Sequence, residues 1–177
     1  LEGGAGHDVL NGKWGADHLY GGDGNDIFYA NGSDFAVDYS GNDTYYLIGD
    51  DNSVVDFSRQ GGNTYFIDDS ATRSVIVDSA EANTVYTETD FVVQAYASDT
   101  SLSANYISGR AKDIIALGSS NLYLLGGADN NTLYGNSGNN DLSGRGGNDV
   151  LLGGMGNDIL FGDAGAGAWP IGTGHPC

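Results

Sequence analysis

A nine-residue unit repeats without a gap near the start of this chain. Its three copies are "GGAGHDVLN" (3–11), "GKWGADHLY" (12–20) and "GGDGNDIFY" (21–29). Each copy, called a nonad below, has glycine at its first and fourth places, aspartate at its sixth place and an apolar residue at its eighth. A fixed period over successive copies is typical of solenoids, in which each repeat packs only on its neighbours.

The same unit returns near the other end of the chain, between residues 126 and 170. Its sixth place is Asp149 in "GRGGNDVLL" and Asp158 in "GGMGNDILF", but Asn131 and Asn140 in the two preceding copies. Counted in nines backward and forward from the nonad that begins at Gly126, the eighth place is always apolar: Ile115, Leu124, Leu133, Leu142, Leu151, Leu160 and Trp169.

The nonad spacing suits a six-residue turn followed by a three-residue strand. In so short a strand only the middle residue points to one face, so we expect the eighth place to face a core. One unit cannot bury this residue alone, so the repeats are expected to stack. If two nonads form one coil, residues 18 positions apart are stacked, which places Asp8 beside Asp26 and Asp158 beside Asn140.

The charge of the chain favours a cation as its partner. Of the 24 acidic residues 21 are aspartate, and the net charge is −18 with only six basic residues. Aspartate suits turns, where its short side chain bonds nearby backbone. Such a negative chain is not expected to bind nucleic acid or an anionic membrane surface. No apolar run approaches the ~18 residues that a membrane span requires.

On these residues the nonads resemble the RTX (hemolysin-type calcium-binding) repeat, G-G-x-G-x-D-x-U-x. The resemblance implies an all-β fold, a right-handed parallel β-roll or β-helix solenoid with several Ca²⁺ ions between its turns. Flexible loops of carboxylates and carbonyls are the ligands that Ca²⁺ prefers. The alternative is that the aspartates only cap turns. The predicted side-chain ligands are Asp8, Asp17, Asp26, Asp149 and Asp158, with Asn131 and Asn140 as weaker ones; the predicted carbonyl ligands are those of Gly3, Ala5, Gly12, Gly21, Gly22, Gly24, Gly144, Gly147, Gly153, Gly154 and Gly156.

The middle of the chain departs from the nonads. Thr44, Thr64 and Thr84 recur at a spacing of twenty in similar segments, which predicts wider coils of two strands each. Tyrosine, valine and isoleucine there are expected to fill the core and the sheet faces, and a carbohydrate-binding face of exposed tyrosines is the alternative. We therefore predict four parts: N-terminal calcium-binding repeats (1–30), wider metal-poor coils (31–107), C-terminal nonads (108–170) and an irregular tail (171–177).

No catalytic constellation is visible, because the sequence contains neither H-E-x-x-H nor G-x-S-x-G. We expect a non-catalytic module that folds on binding calcium outside a bacterial cell and supports the type I secretion and stability of an extracellular protein. One alternative is an adhesive or surface-structural protein, a filament unit or spacer that self-associates or binds a surface glycan. Another is the C-terminal tail of an RTX toxin or secreted hydrolase. The chain has no initiator methionine and is expected to be an excised piece, with parent domains unknown.

Overall fold

Short strands alternate with turns along the chain, as the nonad spacing predicts. The computed structural model describes residues 1–59, 61–71, 73–78, 80, 82–94, 105–163 and 169–170. The predicted tail at 171–177 lies outside them. The described residues form no helix, so no helix there could cross a membrane. The strands are β1 (Glu2–Ala5), β2 (Val9–Asn11), β3 (His18–Asp23), β4 (Ile27–Asn31), β5 (Phe35–Asp38), β6 (Thr44–Ile48), β7 (Ser53–Asp56), β8 (Thr64–Ile67), β9 (Val75–Asp78), β10 (Thr84–Thr87), β11 (Phe91–Gln94), β12 (Asn105–Gly109), β13 (Asp113–Ala116), β14 (Tyr123–Leu125), β15 (Thr132–Tyr134), β16 (Asp141–Ser143), β17 (Val150–Leu152), β18 (Ile159–Phe161) and β19 (Trp169–Pro170).

These strands form two parallel sheets that face each other across one core. The first sheet has the order β1-β3-β5-β7-β9-β12-β11-β14-β16-β18. The second has the order β19-β17-β15-β13-β10-β8-β6-β4-β2. For most of its length the chain thus alternates between the sheets and adds one strand to each per coil. The predicted all-β parallel β-roll is confirmed.

The register of the coils follows the sequence spacing. Leu10 pairs with Phe28 and Leu142 pairs with Leu160, each 18 residues apart, so two nonads form one coil. Thr44, Thr64 and Thr84 pair in succession on β6, β8 and β10. The wider coils predicted from the twenty-residue spacing are therefore present.

The core is a row of eighth-place side chains between the sheets. In β17 the middle residue, Leu151, is buried while Val150 before it is exposed. The middle residue is likewise the buried one in the three-residue strands β2 and β15. In the wider coils the inward positions hold larger side chains, among them Tyr45 and Tyr65. The predicted inward residues that are buried are Leu10, Leu19, Phe28, Leu124, Leu133, Leu142 and Leu151, and Leu160 is partly buried against them.

Two of the predicted eighth-place positions are wrong. Ile114, not Ile115, pairs with Leu133 and is fully buried, while Ile115 is half-buried. Trp169 pairs with Val150 and not with Leu151. In both places the paired residues are 19 positions apart instead of 18. One additional residue in the coil shifts the count in nines by one, and in a strand a shift of one reverses the face.

One coil contributes two strands to the same sheet. β11 and β12 pair with each other in parallel, and β12 lies between β11 and β9. The residues between them, 95–104, lie outside the described part of the chain. Asn105 at the start of β12 is fully buried and donates to the Ala71 carbonyl (2.6 Å) and to Thr89 Oγ1 (2.8 Å). The sequence carries no repeat that indicates this additional strand.

We predict that Leu151→Asp prevents folding even at saturating calcium. It would place an unpaired charge between the sheets, which costs several kcal/mol. Val150→Asp is the matched control, since it introduces the same charge one residue away on a side chain that is 40% exposed. Far-UV circular dichroism in excess calcium measures both. A Leu151→Asp variant with the β signal of the unsubstituted chain would show that the assigned core face is wrong.

Candidate metal sites

The sixth-place residues form two ladders that run along the roll. In the first ladder the Asp8 N–H donates to Asp26 Oδ1 at 2.8 Å, and the Asp26 N–H donates to Asp43 Oδ1 at 2.8 Å. The ladder continues with Asn63 and Asn83 in the wider coils. Each side chain thus accepts a hydrogen bond from the backbone of the preceding coil. The predicted stacking of Asp8 on Asp26 is confirmed.

The second ladder occupies the opposite turns. The Asp17 N–H donates to Asp34 Oδ1 at 2.8 Å, and the Asp34 N–H donates to Asn52 Oδ1 at 3.2 Å. Near the other end the Asn140 N–H donates to Asp158 Oδ1 at 2.9 Å, as the 18-residue spacing predicts. Asp34 and Asp43 were not among the predicted ligands. Asp34 lies 17 residues after Asp17, and Asp43 lies 17 residues after Asp26, which is one residue short of two nonads. This spacing is the signal that could have identified both as members of the ladders.

The ladder bonds leave one oxygen of several carboxylates without a partner. The Oδ2 atoms of Asp8, Asp26, Asp43 and Asp149 are buried and receive no hydrogen bond within the described residues. A buried polar atom without a partner is costly, and a buried charge more so. A cation between the turns would satisfy these oxygens.

Glycine at the first place leaves the space that such a cation needs. A Cβ built on Gly3 would lie 2.8 Å from Asp8 Oδ2 and 2.8 Å from the Gly21 carbonyl oxygen. A Cβ on Gly144 or Gly153 would likewise overlap Oδ2 of the sixth-place aspartate in its own nonad. The first place must therefore lack a side chain for the carboxylate to face an open gap lined by oxygens. These residues fit a Ca²⁺ ion, which prefers carboxylate and carbonyl oxygens.

The second and fourth glycines of the nonads are required by the backbone. Gly22 has a φ of 114° and Gly24 a φ of 132°, a region that residues with a Cβ rarely adopt. A Cβ at either position would also collide with the carbonyl of Gly4 or Gly6 in the preceding coil. Of the predicted carbonyl ligands, Gly3 and Ala5 lie in β1, Gly21 and Gly22 lie in β3, and the others lie in the turns. Their binding of an ion remains a prediction.

The two asparagines at the sixth place are engaged differently from the aspartates. Asn131 Oδ1 accepts from the Gly127 N–H at 2.8 Å, and its Nδ2 donates to the Ala111 carbonyl at 2.5 Å. Asn140 Oδ1 accepts from the Asn136 N–H at 2.9 Å. Both amides hold their turns together with neutral hydrogen bonds. They are weaker ligands for a cation than Asp149, whose Oδ2 accepts no hydrogen bond among the described residues.

Burial opposes ionisation of the Asp149 and Asp43 carboxyls. It raises the pKa of Asp149, and the hydrogen bond from the Asn131 N–H only partly offsets this. Burial also raises the pKa of Asp43 to about 8, against the bond from the Asp26 N–H, and the charges of Asp38 and Asp56 add to the rise. The ionised forms therefore need a positive charge nearby.

We predict that Asp149→Asn raises the calcium concentration at the folding midpoint, while high calcium still restores the fold. Asparagine keeps an acceptor for the Asn131 N–H but loses the negative charge, and we expect a shift of about tenfold. Asp141→Asn is the charge-matched control, because the Asp141 side chain at the start of β16 is exposed. The midpoint is measured by circular dichroism. Equal midpoints for both variants would mean that Asp149 does not bind the ion.

Sequence comparison agrees with the geometry. The family model of the RTX calcium-binding nonapeptide repeat (4 copies) matches residues 1–28, 123–151 and 134–167. No curated protein sequence matches the chain. The matched segments contain Asp8, Asp26 and Asp149, whose buried Oδ2 atoms receive no hydrogen bond from the described residues. The chain therefore carries RTX nonapeptide repeats, which bind Ca²⁺, near both ends of one parallel β-roll.

Proposed function

We propose that this chain is a calcium-binding module that folds on binding Ca²⁺ outside the cell and thereby supports the secretion and stability of a longer extracellular protein. The unpartnered, buried Oδ2 atoms of the sixth-place aspartates carry this proposal. In the folded chain these charges are stacked in register, so they oppose folding until a cation neutralises them. The nonads at 1–30 and 108–170 supply these sites, with Asp17 and Asp158 on the second ladder.

The expected binding energy is large enough to control folding. A ligand that binds only the folded state stabilises it by RT ln(1 + [L]/Kd). With ~1 mM Ca²⁺ and a Kd of ~0.1 mM, each site contributes about 1.4 kcal/mol. A handful of sites then contributes several kcal/mol, which is comparable to the whole stability of a small domain.

This affinity range is the reason for placing the function outside the cell. Extracellular calcium modules have Kd values of roughly 10⁻⁴–10⁻³ M, so they remain empty at the low calcium concentration of the cytosol. An unloaded chain with a charge of −18 repels itself and stays available for export in unfolded form. Type I secretion, followed by folding in external calcium, is consistent with these properties.

We also infer that the module is structural and not catalytic. The matched repeat family is described by its binding of calcium. The free carboxylate oxygens lie buried between turns, where an ion fits but a larger substrate does not. Any catalytic activity of the longer protein would then belong to another domain.

A column of stacked aromatic rings supports a second candidate function, attachment at a surface. Tyr29, Tyr46, Phe66 and Tyr86 stack along the second sheet with centroids 4.8–4.9 Å apart and planes within 8°. These side chains are half-buried, so their outer edges are accessible to a glycan or to another copy of the chain. Light scattering in calcium distinguishes the candidates, because only self-association produces ordered assemblies of increasing mass.

We predict that the chain has little β signal in far-UV circular dichroism when calcium is chelated and gains it cooperatively as calcium is added. The reason is that no ion pair to the stacked aspartates Asp8, Asp26 and Asp149 is present among the described residues. The titration is followed at fixed ionic strength, so that general screening does not contribute.

Magnesium is the control ion for this titration. Mg²⁺ has the same charge, but it demands near-octahedral geometry and gives up its water reluctantly, so it should substitute poorly. A chain that is equally folded in excess chelator would refute the proposed function. Equal potency of the two ions would show that charge neutralisation alone is sufficient.

A further inference from the structure

Three aspartates occupy, in the wider coils, the position that glycine holds in the nonads. Asp38, Asp56 and Asp78 pair in register on β5, β7 and β9. Asp38 follows Val37, which pairs with Tyr20, so it stacks on the first-place Gly21. All three aspartate side chains are buried, with at most 3% exposure. The gap left open by glycine in the nonads is therefore filled here by carboxylates.

Asp56 and Asp78 are satisfied by neutral donors. The Tyr45 hydroxyl donates to Asp56 Oδ2 at 2.7 Å, and the Tyr65 hydroxyl donates to Asp78 Oδ2 at 2.6 Å. Asn63 Nδ2 lies between them and donates to both oxygens at 2.9 Å. Each of these carboxylates thus has a tyrosine and an asparagine as partners.

Asp38 has neither partner, although it belongs to the same column. The position equivalent to Tyr45 is Phe28, which has no hydroxyl group, and the two rings stack at 4.6 Å. The position equivalent to Asn63 is Asp43, whose N–H donates to Asn63 Oδ1 in the next coil. Asp38 accepts hydrogen bonds from the backbone N–H groups of Gly22 and Ser40. Its one side-chain partner among the described contacts is the Asp43 carboxyl, which can bond to it only when one of the two carries a proton.

Three carboxylates converge at this point instead. One oxygen each from Asp26, Asp38 and Asp43 lie within 4.8 Å of one another, and all three residues are buried. Within the described part of the chain, Oδ2 of Asp26 and Oδ2 of Asp43 receive no hydrogen bond from a donor group. A Cβ built on Gly21 would overlap both Asp38 Oδ1 and Asp26 Oδ2, so these two oxygens face one gap.

The size and chemistry of this gap suit calcium. Calcium–oxygen distances are about 2.3–2.6 Å, so oxygens up to ~5 Å apart can share one ion. Three buried negative charges without a cation would repel one another strongly. In the next coil, neutral hydrogen-bond donors satisfy the carboxylate. Here Phe28 and Asp43 occupy the positions of those donors and lack the donor groups.

We propose that Asp26, Asp38 and Asp43 hold a Ca²⁺ ion in the interior of the roll, where the N-terminal nonads join the wider coils. This rests on the proposed function and extends it: the gap beside Gly21 and Asp26 belongs to the nonads, and Asp38 and Asp43 are two ligands that the nonads do not supply. It assigns ligands to residues 38 and 43, inside the segment that the sequence predicts to be metal-poor. The ion lies at the end of the N-terminal calcium-binding repeats, where it neutralises Asp38, the first carboxylate of the internal column.

The test converts this site into the neutral network of the next coil. The double variant Phe28→Tyr/Asp43→Asn supplies the hydroxyl and the amide that Asp56 has, so it should fold and bind one calcium ion fewer per chain. Asp38→Asn, which removes one ligand charge without changing shape, should also lose one ion. Asp23→Asn, an exposed aspartate at the end of β3, is the control for the change in net charge and should keep the full number.

Bound calcium is counted by elemental analysis after dialysis against 1 mM calcium, on protein shown by circular dichroism to be folded. If the folded double variant retains the same number of ions as the unsubstituted chain, the three carboxylates share only a proton and the inference is wrong. If the unsubstituted chain binds no calcium, the proposed function fails as well. A loss of one ion in both site variants, with none lost in Asp23→Asn, supports the site.

Discussion

The in-register stacking of parallel coils is the constraint on which the rest of this structure depends. Adjacent strands lie about 4.8 Å apart, so a residue type that repeats once per coil becomes a column with that spacing. For the inward residues of the second sheet the column is a continuous core of Leu10, Phe28, Tyr45, Tyr65, Val85, Ile114, Leu133 and Leu151. For aspartate it is a row of like charges at a distance where they repel appreciably, as in Asp8, Asp26 and Asp43.

The chain compensates these charges in three ways along one solenoid. In the nonads glycine at the first place opens a gap beside the free oxygen of the sixth-place aspartate. At Asn131 and Asn140 the charge is replaced by an amide that bonds to its own turn. In the wider coils the buried carboxylates Asp56 and Asp78 lie in the internal column, and Tyr45, Tyr65 and Asn63 donate hydrogen bonds to them. The proposed calcium requirement would thus be a local property of each coil.

The regular part of this architecture could be predicted from the sequence because its signal is periodic. The nonads specify which residues are stacked and which face the core. The count in nines failed at Ile115 and Trp169, since one additional residue in a coil leaves no mark on the sequence but shifts the pairing register by one. Asp38 was missed for a different reason: it is 12 residues from Asp26, and only the pairing of β3 with β5 brings the two together. The additional strand β12 has no repeat signal at all.

The most direct measurement is anomalous diffraction from crystals of the chain grown in millimolar calcium. We expect peaks in the gaps between first-place glycines and sixth-place aspartates, at about 2.3–2.6 Å from the Oδ2 atoms of Asp8, Asp26 and Asp149. The turns of Asn131 and Asn140 should show weaker peaks or none. Well-ordered crystals in which those three Oδ2 atoms have no ion beside them would contradict the central claim that calcium neutralises the stacked carboxylates.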